Sequence, residues 1–275
     1  MPINLIATDL DGTLLAPDHI TITPRTLSAL TSAHQKGVKI TISTGRTLSL
    51  IKNVAEKLPF VDYIIYSNGA GVYDCRKKTT VFVEPVKKDK SEAITTLLEC
   101  LGVYYNIYAD GNIYISSELD SRVFEKVDLP KDFLNQFLAT AVAVNDIKTE
   151  TSDKATEMIV AYFVPEKARM KIMSLLNDLG GLHTVSSFSD NIEIMSENAS
   201  KGNAVKAICD IIGCTNENAM TFGDAWNDCS MLELADHSFA MANGDAKCKM
   251  SAKNICPSNA EDGVAQMIEK YILNI

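Results

Sequence analysis

Two carboxylates stand two residues apart at Asp9-Leu10-Asp11-Gly12-Thr13, directly after the apolar run Leu5-Ile6-Ala7. A short apolar run of this kind reads as a buried strand. Charges at the end of a buried strand are costly unless they are paired, hydrogen-bonded or bound to a metal. Gly12 permits a sharp turn there. Asp and Gly are also ordinary turn residues, so a solvated turn is the competing reading of this stretch. A second acidic strand end follows much later: Gly223-Asp224-Ala225-Trp226-Asn227-Asp228 comes after Ala219–Phe222. Two carboxylates and an amide in so short a stretch make a hard-oxygen site of the kind Mg²⁺ favours. Against that, Asp228 could cap the following helix and Asp224 could belong to a turn.

Two further stretches could hold an anion. Thr44-Gly45-Arg46 ends the apolar run Val38–Ser43. A hydroxyl and free amides at a strand-to-helix turn suit a phosphate, although a plain helix cap looks the same. Ser200-Lys201-Gly202-Asn203 opens a helical pattern. A lysine there runs against the helix dipole, which is easier to explain if it faces an anion. Taken alone, the tetrapeptide also fits one exposed lysine among many.

The elements that must position these residues can be read around them. Thr23-Pro24 is a helix start, with a hydroxyl N-cap and proline at the first helical position, and Gly37 closes that helix. Val38–Ser43 is a second strand, Leu48–Leu58 a second helix and Tyr63–Tyr66 a third strand. Strand–helix alternation predicts parallel strands joined by right-handed crossovers, with their small polar ends gathered on one edge. That edge is where open α/β sheets bind ligands. Beyond residue 80 the alternation stops. A helix over Ser91–Leu101, strands at Tyr104–Tyr108, Ile113–Ser116 and Met158–Phe163, and a helix from Pro165-Glu166 to Gly180-Gly181 make an α+β insert. Asp110-Gly111-Asn112 is a hairpin turn, and a second hairpin is expected around Ser189-Asp190. The alternation resumes with a helix at Lys201–Ile212, the strand Ala219–Phe222, a helix at Asn227–Leu234, a strand at Phe239–Ala242 and a closing helix from Asp262 to Leu273. The expected organisation is an α/β, Rossmann-like parallel-sheet core over 1–84 and 190–275, with an inserted α+β domain over 85–189.

Composition narrows the function classes. The net charge of −9 argues against a general nucleic-acid partner. An acidic chain that handles phosphate needs local cations, and Mg²⁺, a lysine and helix N-termini are the candidates. The seven cysteines are scattered, odd in number and form no Cys-x-x-Cys pair, which fits reduced thiols rather than a zinc cluster or a disulfide framework. No apolar run approaches the roughly 20 residues that span a bilayer. No secretory leader is legible. The expectation is a cytoplasmic protein with no membrane partner, monomeric or homodimeric.

Asp-x-Asp-Gly-Thr, Thr-Gly-Arg, Lys201-Gly202 and Gly-Asp-x-x-Asn-Asp, in this order and at strand ends, resemble the motifs of the haloacid dehalogenase superfamily of phosphohydrolases. The long insert, together with Ser67-Asn68-Gly69-Ala70 after the third strand, is similar to the Cof-type subfamily with its large α/β cap (type IIB). The resemblance covers nearly the whole chain, and the insert matches by size and position more than by motif. Trp226 is bulkier than the residue many relatives carry there. The resemblance implies an α/β core with a substrate-reading cap and a Mg²⁺-dependent phosphatase of small phosphorylated metabolites, sugar phosphates or similar monoesters. Asp9 would be the nucleophile, forming an aspartyl-phosphate, and Asp11 the general acid/base. Asp9, the Asp11 carbonyl and Asp224 would hold Mg²⁺. Thr44, the amides of Leu10 and Gly45, Lys201 and Asn227 would hold the phosphoryl oxygens, with Asp228 behind them orienting Lys201 or a metal-bound water. Tyr105, Tyr108, Asp110 and Arg122 are candidates in the insert for leaving-group contacts, though each also fits surface or core. Two rivals are a phosphomutase of the same superfamily and a phosphate-binding regulatory module without turnover. The pair Asp9 and Asp11 argues against the module, since binding alone needs no second acid.

Overall fold

The computed structural model describes residues 2–55, 58–118, 131–186 and 191–275. Two compact units divide the chain: Met1–Gly45, Val54–Phe82 and Ser200–Ile275 form the first, Arg46–Asn53 and Val83–Ala199 the second.

The first unit is built on an eight-stranded sheet. Its order from edge to edge is Asn254–Cys256, His237–Met241, Ala219–Gly223, Leu5–Asp9, Lys39–Ser43, Val61–Tyr66, Gly71–Asp74 and Thr79–Val83. The first six strands run parallel, and Gly71–Asp74 turns back antiparallel against Val61–Tyr66. The central strands Leu5–Asp9, Val61–Tyr66 and Ala219–Gly223 are buried along their whole length. Continuous apolar strands of this kind are those of a sheet covered on both faces. Leu5, Ala7, Tyr63 and Ile65 pack against Ala204, Val205 and Ile208 of the helix Lys201–Ile212. The helix Pro24–Gln35 packs against Gly263–Ile268. Thr23 caps the former by accepting the Thr26 amide, and Ser200 caps Lys201–Ile212 by accepting the Asn203 amide. Each cap is worth about 1 kcal/mol, and each fixes where a strand-end loop becomes a helix. Parallel pairing puts Asp9 opposite Ser43 and brings Gly223 to the same edge, so the acidic strand ends meet.

The second unit is a six-stranded sheet ordered Leu182–Val185, Ile192–Ser196, Thr156–Tyr162, Tyr104–Ala109, Asn112–Ser116 and Val142–Val144. Its pairings are antiparallel except the last. Tyr105, Ile107, Ile159, Ala161, Ile192 and Ile194 share one core with Ile94, Leu98, Ala168, Ile172 and Leu176 of the helices Lys88–Cys100 and Glu166–Leu179. The Asp110-Gly111 hairpin turn forms as expected, with φ of +48° and +75°. Positive φ at both central residues is the signature of a type I′ turn.

Some boundaries differ from the sequence reading. The expected helix Asn227–Leu234 begins as one tight turn, Trp226–Asp228, before Cys229–Leu234. The cause is the Asp228 side chain, which folds back onto the amides of Asp224 and Ala225. The closing helix keeps regular geometry only over Gly263–Ile268 and widens over Glu269–Leu273. The short elements Gly71–Asp74, Ala246–Ser251 and Asn254–Cys256 escaped the reading, because three to six residues carry too little periodicity. Arg122 and the Ser189-Asp190 turn lie outside the described residues.

Candidate active site

The acidic loop leaves its strand at Asp9 and turns through Leu10–Leu14, closed by the Leu15 amide donating to the Leu10 carbonyl at 2.9 Å. Gly12 sits at φ +79°, and a Cβ there would strike the Asp224 carboxylate. Only glycine allows both the turn and this approach of the two acidic loops. Thr13 Oγ1 donates to Asp224 Oδ1 at 2.6 Å. Asn243 Nδ2 donates to the Gly12 carbonyl at 2.8 Å.

At the centre is Lys201, fully buried in the first turn of its helix. Its Nζ donates to Asp9 Oδ1 and to Asp228 Oδ1, each at 2.6 Å. Gly69 positions that helix, since any Cβ on it would fall on the Ser200 carbonyl group. The other oxygen of Asp228 accepts the amides of Asp224 (2.9 Å) and Ala225 (3.0 Å). Asp228 therefore ties the second acidic loop to the lysine.

Carboxylate oxygens of Asp9, Asp224 and Asp228 all lie within 4.8 Å of one another. Three carboxylates against one ammonium leave a formal charge of −2. A close ion pair at an effective dielectric of 20 gains only about 4 kcal/mol, so one lysine does not offset the desolvation of three acids. The direction in which each pKa is displaced agrees. Burial holds Asp9 well above the usual carboxylate range; Lys201 opposes the shift, and Asp228 and Asp224 add to it. Burial likewise pushes Asp224 up to about 6, against the hydrogen bond from Thr13. Lys201 is held protonated by Asp228 and Asp9 despite its burial. A cluster of hard oxygens lacking two positive charges could hold a hard divalent cation, and with both oxygens of Asp228 already bonded, Asp9 and Asp224 are the carboxylates that could bind it.

The other expected residues have different settings. The Asp11 carboxylate does not join the buried cluster; its side chain is 40% exposed, with His19 Nδ1 at 4.0 Å. Thr44 is buried, its amide donating to the Ile65 carbonyl (2.9 Å) and its carbonyl accepting the Asn68 amide (3.1 Å). Gly45 lies beside Asn68 Oδ1, which also accepts from Asn227 Nδ2 at 3.0 Å. Ser67 and Asn68 both have positive φ, +49° and +55°. Asn tolerates that conformation, whereas Ser there carries strain, and strained backbone is common around sites. Asn68, Thr13 and Asn243 are absent from the sequence-derived set. Thr13 was visible within the first motif. Asn68 was visible within the stretch Ser67–Ala70, and Asn243 had only its place after an apolar strand as a signal. In the second unit, Tyr105 packs within the helix-side core with its hydroxyl donating to Glu99 (2.8 Å), and Tyr108 is buried in the sheet. Asp110 accepts the Ala155 amide at 3.2 Å.

A parallel α/β sheet whose carboxyl edge carries an Asp-rich cluster around a buried lysine belongs to the class of α/β proteins suited to handling an anion such as phosphate beside a cation. Comparison with known proteins places it further. The haloacid dehalogenase-like hydrolase family matches residues 6–268, and the chain belongs to that family. The phosphatase YwpJ of Bacillus subtilis is 30% identical over 98% of this chain and 99% of its own. The 5-amino-6-(5-phospho-D-ribitylamino)uracil phosphatase YcsE of the same organism is 26% identical, covering 98% and 96%. The fold is that of the subclass IIB sugar phosphatase BT4131, with a TM-score of 0.79, 24% identity and 98% of each chain covered. The chain is a phosphatase of the haloacid dehalogenase superfamily, a phosphoric monoester hydrolase acting on small phosphorylated substrates.

Proposed function

We propose that the protein is a Mg²⁺-dependent phosphatase of phosphorylated sugars or similar monoesters that works through an aspartyl-phosphate. The observation that carries this reading is the charge deficit at Asp9, Asp224 and Asp228 around a lysine already committed to two of them. Asp9, Asp224 and the Asp11 carbonyl would hold the ion, which supplies positive charge to bring an anionic nucleophile and an anionic phosphate together. Asp9 attacks phosphorus and the ester oxygen leaves. Asp11, on the solvent side of the loop, gives that oxygen its proton, then takes one from the water that releases phosphate from Asp9. Thr44, the amides of Leu10 and Gly45, Lys201 and Asn227 bind the phosphoryl oxygens, and Asp228 positions Lys201. We assign reading of the leaving group to the insert over 85–189. A cytoplasmic location belongs to the same proposal and is supported by seven free cysteines.

The test is phosphate release from a panel of phosphorylated metabolites, with Mg²⁺ and with chelator. Release that needs Mg²⁺ is expected. Transfer of the phosphate between substrate molecules without release would instead identify a mutase. No release by folded protein, with phosphate still bound, would point to the regulatory module.

A further inference from the structure

Ile20, Met170, Met250 and Ile255 are among the exposed large apolar side chains of the described residues. Trp226 is different. It is the only tryptophan of the chain. It stands in the turn between Asp224 and the pair Asn227 and Asp228, yet it is 39% exposed while Asp228 is fully buried. That turn aims Asp228 inward at Lys201 and leaves the indole outside.

A cation stands over one face of the indole. Lys247 Nζ lies 5.2 Å from the ring centroid, and among the described residues no carboxylate pairs with it. The segment carrying Lys247 is fixed to the acidic loops. The Asp245 amide donates to the Asp224 carbonyl at 2.8 Å, Asp245 caps its own helix by accepting the Cys248 amide, and Asn243 reaches the Gly12 carbonyl. The ammonium, the indole and the acidic cluster are therefore held in one frame. With the ammonium over one face, the other face is the one left for a planar ring, and an aromatic side chain stacks on any heterocyclic base because every base has a π-face.

We propose that Trp226, backed by Lys247, is a stacking platform that selects substrates whose leaving group carries a planar heteroaromatic ring. The inference rests on the phosphatase reading, narrows its substrate class, and gives one core loop a share in the leaving-group choice that was assigned to the insert. Trp226 is a positioning residue in this scheme, and no bond is made or broken on it.

The test compares uridine 5′-monophosphate with ribose 5-phosphate. Both release phosphate from the same ribose oxygen, and only the first carries a ring. The ratio of their kcat/KM values should exceed unity in the native protein. It should fall about tenfold in Trp226→Leu, mainly through KM, and less in Trp226→Phe. Lys247→Gln should give an intermediate fall. Because the chain has one tryptophan, its fluorescence reports the platform directly. The uridine nucleotide should quench it in the metal-loaded protein more strongly than ribose 5-phosphate does, a readout that needs neither turnover nor a variant. Equal quenching by the two, or an unchanged ratio in a folded Trp226→Leu protein, would overturn the platform. Ring-dependent quenching with no release of phosphate from either compound would retain the platform and sink the phosphatase reading.

Discussion

Each unit buries a cluster of polar side chains, and the two clusters are balanced differently. In the second unit, the Tyr104 hydroxyl donates to Asn106 Oδ1 at 2.8 Å, Asn106 Nδ2 reaches the Tyr162 hydroxyl at 3.5 Å, and Asn191 Nδ2 donates to Glu193 Oε1 at 3.1 Å. Donors meet acceptors there, as a structural network requires. In the first unit, three carboxylates share one lysine and two of them are held above their ordinary range. Folding alone would not favour that arrangement. Two neutral residues could fill the same space at lower cost. The satisfied cluster explains itself as structure, whereas the over-charged one needs a ligand.

That contrast can be broken by substitution. Asp9→Asn should lower phosphate release by about four orders of magnitude or more, with the fold retained, since it removes the proposed nucleophile. Asp11→Asn should cost about 10²- to 10⁴-fold while Mg²⁺ still binds. Full activity in the Asp9 variant would end the covalent mechanism. A loss of Mg²⁺ binding alone in the Asp11 variant would remove its acid/base role.

Lys201→Met leaves Asp9 and Asp228 buried without a cation. Denaturant unfolding should show a loss of about 3–5 kcal/mol. A neutral result would mean that the cluster is less charged than its geometry implies.

Asp224 gives a smaller effect with a definite sign. Its folded-state pKa, about 6, lies above the ordinary value of 3.8, so the native state holds the proton more tightly than the unfolded chain. In metal-free protein this site therefore costs stability as pH rises from about 4 to about 6, and the cost is complete at pH 7. Asp224→Asn, unfolded in the presence of chelator at pH 7, should be more stable than the native sequence by about 1–3 kcal/mol while losing metal affinity. Mg²⁺ affinity of the unsubstituted protein should weaken as pH falls through about 6, because the ligand must be deprotonated. Titration calorimetry across that range checks the sign.

The smallest effect belongs to the satisfied cluster. Tyr104→Phe removes one hydrogen bond and should cost about 1 kcal/mol in thermal or denaturant unfolding. A change as large as that of Lys201→Met would mean that the two clusters do not differ in kind.

Local chemistry by itself determined a good part of this protein. Thr23-Pro24 and Ser200 announce their helices, Asp110-Gly111 its turn, and the apolar runs before Asp9, Thr44 and Asp224 their strands, because caps, turns and buried strands depend on residues close in the chain. The alternation of these elements was enough for a parallel sheet with acids on one edge. What only tertiary structure decided depends on residues far apart in sequence. Arg46–Asn53 joins the second unit although it follows a core strand, and the sequence reading, which set the insert at 85–189, had no local signal for that. Asn68 meets Asn227 and Asn243 meets Gly12 across 159 and 231 positions, and polar turn residues give no hint of such partners. Asp228 could have been a simple cap. Its link between Lys201 and the Asp224 loop exists because parallel pairing sets two strand ends side by side, and there the charges of both loops must be balanced together.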